Sequence, residues 1–235
     1  MNSLYLLLIA IVVLSSWVGS VYALPLPNGD VLPNLLSEEG LRWMVRHSID
    51  NVASAPFAEV FLILMSIGAL RSSGLLDVII HRERLVARRE RYALRSALVV
   101  LFVCVGLLLV ELMPGGNLLG VTGHIEGGPF AAGWLFLLTL VVGLPSIVYG
   151  WMSGNYHGEK DIFTGLSSEV ASYANYFVTL VVASQLVAII RYVHLFDLLG
   201  TSQLVQEIVI ALIYAIPLLV LFITKNFIND TSSTE

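Results

Sequence analysis

Charge is scarce in this chain: Asp, Glu, Lys and Arg together make up 12% of 235 residues, about half of what soluble domains carry. So little charge excludes an ordinary water-facing globule. There is one cysteine, Cys104, which excludes an intrachain disulfide and a metal cluster built on thiolates. HExxH, GxSxG, paired Asp in facing apolar segments and a nucleotide-binding loop are all absent, and the five histidines are scattered. No enzymatic activity, cofactor or metal is therefore expected. The net charge of -5 is spread over loops between apolar runs, and the one arginine-rich run is interrupted by Glu83 and Glu90, so nucleic-acid binding is not indicated.

What is present is apolar. Hydrophobic residues make up 57% of the chain, and six segments approach the ~20 residues needed to cross a bilayer. They are Leu4 to Tyr22, Ala55 to Leu70, Ala97 to Met113, Ala131 to Trp151, Ala171 to Ile190 and Leu204 to Thr224. The expected fold class is all-α, a polytopic helical membrane protein with six transmembrane helices and one amphipathic interfacial helix. The first segment has no Lys or Arg before it and is long for a signal peptide, so it is read as a retained helix, although Val21 and Ala23 would make a tolerable cleavage site.

Basic residues set the expected orientation. Six of the twelve Lys and Arg lie in one run, Arg82, Arg84, Arg88, Arg89, Arg91 and Arg95, and short cytoplasmic loops accumulate such residues. Six spans threaded through that anchor place both termini in the cytoplasm, with Lys160 and Lys225 on the same side. Arg42, Arg46 and Arg191 fall on the opposite side. The setting implied is a bacterial inner membrane, with membrane lipid as the first partner.

The expected organisation is a single transmembrane domain over residues 1–235. Residues 1–80 hold the first span, an external amphipathic helix and the second span; 81–96 form an Arg-rich cytoplasmic connector; 97–225 hold four further spans; 226–235 are a polar tail. The external loop after the first span is rich in turn formers: Pro25, Pro27, Asn28, Gly29, Asp30 and Pro33. Ser37 is placed to cap the amphipathic helix, with Glu38 and Glu39 in its first turn and Leu41, Val45, Ser48 and Val52 along one side. Trp43 is expected at headgroup depth, and Pro56 turns the chain into the second span. A second loop, from Pro114 to Pro129, is glycine-rich and includes Gly123.

Residues 145–161 read PSIVYGWMSGNYHGEKD. Pro145 removes a backbone donor where no water replaces it, so a neighbour must repair the helix. Ser146, Gly150, Gly154 and Gly158 are four apart, which on one helix would bare a face for close packing against another backbone. Further on, Ser168, Ser172, Asn175 and Thr179 fall within a narrow arc of a 3.6-residue helix. Interhelical hydrogen bonds of about 0.6 kcal/mol each or a substrate-facing wall both account for such a stripe. Gln185 falls off the arc and needs its own partner. Glu59, Glu111 and Glu207, near span ends, are expected to pair or to reach headgroups.

Two segments carry a family resemblance. Leu35 to Asp77, LLSEEGLRWMVRHSIDNVASAPFAEVFLILMSIGALRSSGLLD, resembles the early part of aminobenzoyl-glutamate (AbgT) family transporters, including the SEEGLRW helix start and the SGLL run. Pro145 to Ser172 resembles a later part: a PGIxYGxxxG run, a charged loop with a Lys-Asp pair, and a helix leading to Ser184-Gln185. Members of that family are about twice this length. They carry a hairpin and further helices between the SGLL run and the arginine-rich connector, and a later hairpin that would follow Pro217 to Thr224. Near Gly200 they have Trp and Asn where this chain has Phe196 and Leu198.

The resemblance implies the scaffold part of a secondary transporter, whose relatives form dimers and bind substrate on a separate set of helices and hairpins. It implies a small aromatic or folate-related anion, or an antimetabolite such as a sulfonamide, as substrate, and an ion gradient as driving force. The missing hairpins would come from a second membrane subunit or be replaced at a symmetric dimer interface. The alternative is a non-transporting scaffold or assembly partner built from the dimerisation helices. Candidate pathway residues are Asn155, His157, Asp161, Ser172 and Asn175; candidate helix-packing residues are Pro145, Ser146, Gly150, Gly154 and Gly158.

Overall fold

The structure is a computed structural model that describes residues 2–26, 31–80, 88–120 and 124–232, with side chains described as far as residue 224. Pro27, Asn28, Gly29 and Asp30 of the turn-rich loop, Arg82, Glu83 and Arg84 of the basic run, and Gly123 lie outside the described residues, as does the side chain of Lys225. The described residues form helices and no strand, apart from an isolated bridge between Pro25 and Val31. Six helical stretches among them are long and apolar enough to cross a membrane: Asn2–Val21, Ser48–Ser72, Arg88–Glu111, Pro129–Ser153, Ala174–Tyr192 and Gln203–Thr224. The all-α, six-span expectation holds, with the second span entered from a preceding short helix.

The chain gathers into two compact units, one made of Met1–Phe57 with Tyr173–Glu235, the other of Ala58–Ser172. The first unit contains α1 (Asn2–Val21), α2 (Glu38–Arg46), α3 (Ser48–Ala53), α9 (Ala174–Tyr192), α10 (Leu195–Leu198) and α11 (Gln203–Ser232). Helix α11 runs into the segment read from sequence as a polar tail. At the centre is α9, against which α1, α3, α10 and α11 all pack. Its Ala183, Leu186, Ile189 and Ile190 meet Tyr5 and Val12 of α1 and Leu32 and Leu35 of the following loop. Ser16 is fully buried; its hydroxyl donates to the Pro33 carbonyl (2.7 Å) and accepts from the Leu35 amide (3.0 Å), stitching that loop to α1.

Proline inside α11 shapes this unit. Pro217 has no N–H, so the carbonyl four residues earlier, Ile213, loses its helical donor. Tyr5 supplies one instead, its hydroxyl donating to the Ile213 carbonyl at 2.7 Å. The repair expected at Pro145 is thus seen at the other intrahelical proline.

Ser37 caps α2 as its sequence position predicts, its hydroxyl accepting from the Gly40 amide at 3.1 Å. The amphipathic helix is not continuous: it stops at Arg46, His47 leaves helical geometry and α3 restarts at Ser48. Leu41 and Val45 are exposed, while Trp43 stacks on Tyr192 of α9 with ring centroids 4.2 Å apart. Gln185 finds its partners in α3: it accepts from Asn51 Nδ2 (3.2 Å) and donates to the Ser48 carbonyl (3.0 Å).

The second unit takes in most of α4 (Phe57–Ser72), then α5 (Leu75–Ile80), α6 (Arg88–Glu111), α7 (Pro129–Ser153) and α8 (Glu159–Ser172). Helices α6 and α7 pair along their lengths. Ala93 and Ala97 of α6, Leu75 and Val78 of α5 and Tyr149 of α7 make a small core. Close backbone approach occurs at Gly68 of α4: a Cβ there would lie 2.7 Å from the Gly165 carbonyl oxygen of α8, so only glycine fits. Glu111 pairs locally, accepting from the backbone N–H (3.1 Å) and the side-chain amide (3.0 Å) of Asn117.

Candidate functional site

Helix α7 ends at Gly154, and that end sets the path of the connector to α8. Gly154 is the C-cap, at φ +88°, left-handed geometry that glycine adopts without a Cβ penalty. Arg89 of α6 lies over this glycine and its Nε donates to the Met152 carbonyl at 3.0 Å, a cation on the negative end of a helix. The chain then folds back, with the Tyr156 amide donating to the Gly150 carbonyl at 2.9 Å and the Tyr156 ring covering Gly150.

From there the connector clamps the end of α4. Asn155 Nδ2 donates to the Ser73 carbonyl at 2.6 Å. The Tyr156 hydroxyl lies 2.6 Å from Ser72 Oγ, and since Ser72 donates its own proton to the Gly68 carbonyl at 2.7 Å, Tyr156 is the donor of this pair. Burial pushes the Tyr156 phenol above its ordinary value of 10.0. Immediately before Ser72, Arg71 Nη1 donates to Glu169 Oε1 of α8 at 2.8 Å; the Glu169 side chain is only 8% exposed, that of Arg71 36%.

The start of α8 is acidic, with Glu159 and Asp161 in its first turn. Asp161 accepts from the His157 amide at 2.8 Å, the arrangement of a carboxylate against orphan N–H groups at a helix start. The His157 ring lies 3.8 Å from the same carboxylate, and both side chains face solvent in part. Asn155, His157 and Asp161 are therefore together on one connector. Ser172 is not with them: it closes the far end of α8 and donates to its own helix, at the Ser168 carbonyl (2.9 Å). Asn175 is exposed, in the first turn of α9, in the other unit.

The stripe of Ser168, Ser172, Asn175 and Thr179 does not lie on one helix, because the chain breaks at Tyr173 between α8 and α9. The spacing held; the continuity it assumed did not. Thr179 is interhelical, its hydroxyl 2.6 Å from Asn2 Oδ1 of α1. The four small residues after Pro145 also diverge. Ser146 is buried and bonds to Val142 of its own helix, Gly150 is covered by Tyr156, Gly154 ends the helix, and Gly158 lies beyond it with open space around it. Pro145 is buried inside α7.

Sequence reasoning did not single out Arg71, Glu169, Ser72 or Tyr156. One signal was available: Glu169 is the sole charged residue between Asp161 and Arg191. Among the described residues no three His, Cys, Asp or Glu side chains gather closely enough to hold a metal ion.

The family profile of the AbgT putative transporter family matches residues 79–230. The match contains the segment Pro145 to Ser172 and leaves Leu35 to Asp77 outside. Among solved structures, the Neisseria gonorrhoeae MtrF protein, described with a class of antimetabolite efflux pumps, has a TM-score of 0.74 at 15% identity over 83% of this chain and 69% of its own. The Alcanivorax borkumensis YdaH transporter, described as having an unusual topology, has a TM-score of 0.72 at 17% identity over 84% of this chain and 72% of its own. At these identities the likeness is one of fold. No curated protein matches the chain. With about two thirds of its residues inside the family profile and its helices arranged as in two such transporters, the chain belongs to the AbgT putative transporter family, membrane transport proteins and not enzymes.

Proposed function

We propose that this chain is a subunit of a secondary transporter that moves a small aromatic or folate-related anion, or an antimetabolite such as a sulfonamide, driven by an ion gradient. It works as a homo-oligomer, a dimer in the simplest case, or with a second membrane subunit. It resides in a bacterial inner membrane with both termini cytoplasmic. The observation that carries the reading is the family match over residues 79–230, which contains the Asn155 to Asp161 connector and the buried Glu169. A buried carboxylate held by an arginine is a typical place for a transporter to keep a functional charge. Asn155, His157 and Asp161 are the candidate pathway groups on that connector, and Ser172 and Asn175 are candidates as separate contacts.

The test is flux. The purified full chain, reconstituted in liposomes with an imposed proton or sodium gradient, is expected to move labelled p-aminobenzoyl-glutamate or a sulfonamide, alone or with a co-expressed membrane partner. Glu169→Gln is expected to reduce that flux in a folded protein. No gradient-dependent flux in either preparation, together with a stable oligomer in detergent, overturns the proposal in favour of a non-transporting scaffold.

A further inference from the structure

The arginines at the start of α6 divide into two sets by the direction they face. Arg89 packs on the end of α7. Arg88, Arg91, Tyr92 and Arg95 are spaced i, i+3, i+4, i+7, which places them on one helical face, and they line an open cavity of about 220 Å³. All three arginines are exposed, and the Arg95 guanidinium stands 6.0 Å from the centre of the Tyr92 ring.

The same face continues into the apolar span. Leu98, Val99 and Phe102 follow at helical spacing and are 42%, 61% and 72% exposed. A basic groove thus passes without interruption into an apolar surface, at the end of the helix where a span enters the headgroup layer. Tyr92 stands at the junction, the usual level of interfacial aromatics.

We propose that this face of α6 is a docking site for an anionic phospholipid, with the phosphate held by Arg88, Arg91 and Arg95 and an acyl chain lying along Leu98, Val99 and Phe102. Guanidinium groups present paired donors that match two phosphate oxygens at once. The cavity is smaller than the about 300 Å³ at which small-molecule pockets begin, which suits a headgroup. The adjoining apolar stripe favours a lipid over a free phosphate, which would leave that stripe unused.

Native mass spectrometry of the purified full chain, delipidated in neutral detergent and titrated with phosphatidylglycerol or phosphatidylcholine, tests the assignment. Phosphatidylglycerol is expected to bind more tightly. Each arginine near an anionic surface contributes about fivefold, so the triple variant R88Q/R91Q/R95Q is expected to bind it on the order of a hundredfold more weakly. R42Q/R46Q, elsewhere on the chain, is expected to leave binding unchanged. If the triple variant does not fold, R95Q alone is expected to lose about fivefold, and R88K/R91K/R95K, which keeps the charge but not the paired donors, to fall between. Equal affinity for the two lipids, or unchanged binding in the arginine variants, overturns the proposal. Displacement of phosphatidylglycerol by millimolar inorganic phosphate also overturns it, assigning the groove to a soluble anion.

Discussion

The hydroxyl of Tyr5 and the carbonyl of Ile213 meet at 2.7 Å across nearly the whole length of the chain. That carbonyl is the one Pro217 deprives of its helical donor. In a setting without water, a substitute donor from another helix makes the proline tolerable. The bond ties the first helix of the chain to the last.

Tyr5→Phe is expected to lower stability by about 1–3 kcal/mol, because the Ile213 carbonyl is left without a donor. Restoring the backbone N–H with Pro217→Ala should recover part of that loss, so the double variant should be more stable than the sum of the single effects. Thermal unfolding of the four proteins in one detergent measures this. Strict additivity would contradict the repair.

Gly150→Ala is expected to cost about 1–3 kcal/mol by overpacking against the Tyr156 ring. Tyr156→Ala frees the space, so Gly150→Ala introduced in that background should cost much less. If oligomerisation and not folding were disturbed by Gly150→Ala, the glycine would instead be serving a contact between subunits. Size-exclusion chromatography alongside thermal unfolding distinguishes the two outcomes.

The Arg71 to Glu169 pair is asymmetric in burial, and its variants should be asymmetric too. Arg71→Met removes the cation beside a buried carboxylate and is expected to cost about 3 kcal/mol or more. Glu169→Gln leaves behind the more exposed partner, which can turn to water, and should cost less. Melting temperatures in the reverse order would mean that other contacts of Glu169 carry its charge.

Burial raises the Tyr156 phenol above 10.0 in the folded chain, so the fold binds its proton more tightly than the unfolded state does. The resulting stabilisation is whole below pH 10 and is lost as pH rises through the raised folded value. Tyr156→Phe should therefore flatten the alkaline decline of stability relative to the unmodified chain, while leaving the profile between pH 6 and 9 parallel. An unchanged slope above pH 10 would show that Tyr156 does not contribute to it.

The small-residue face after Pro145 shows where sequence periodicity misleads. Positions four apart define a common face only while the helix lasts, and Gly154 ends it. The same holds for Ser172 and Asn175, separated by the break at Tyr173. Ser37 was legible because a cap is a local event, settled by a hydroxyl and an amide three residues on. Gln185 was legible only as a residue needing a partner; Asn51 and Ser48 lie 134 and 137 positions away.

By itself the sequence determined the solvent, the six spans, the all-helical class and the resemblance to a transporter family, because hydrophobic length and local motifs are written along the chain. Only the tertiary structure decided that Gly68 and not Gly150 meets a neighbouring backbone, that Glu169 is held by Arg71, and that Tyr5 mends the helix at Pro217. Hydrogen bonds and ion pairs between distant segments depend on which helix faces which. That is settled by packing and the satisfaction of buried polar groups, neither of which has a period that a single sequence displays.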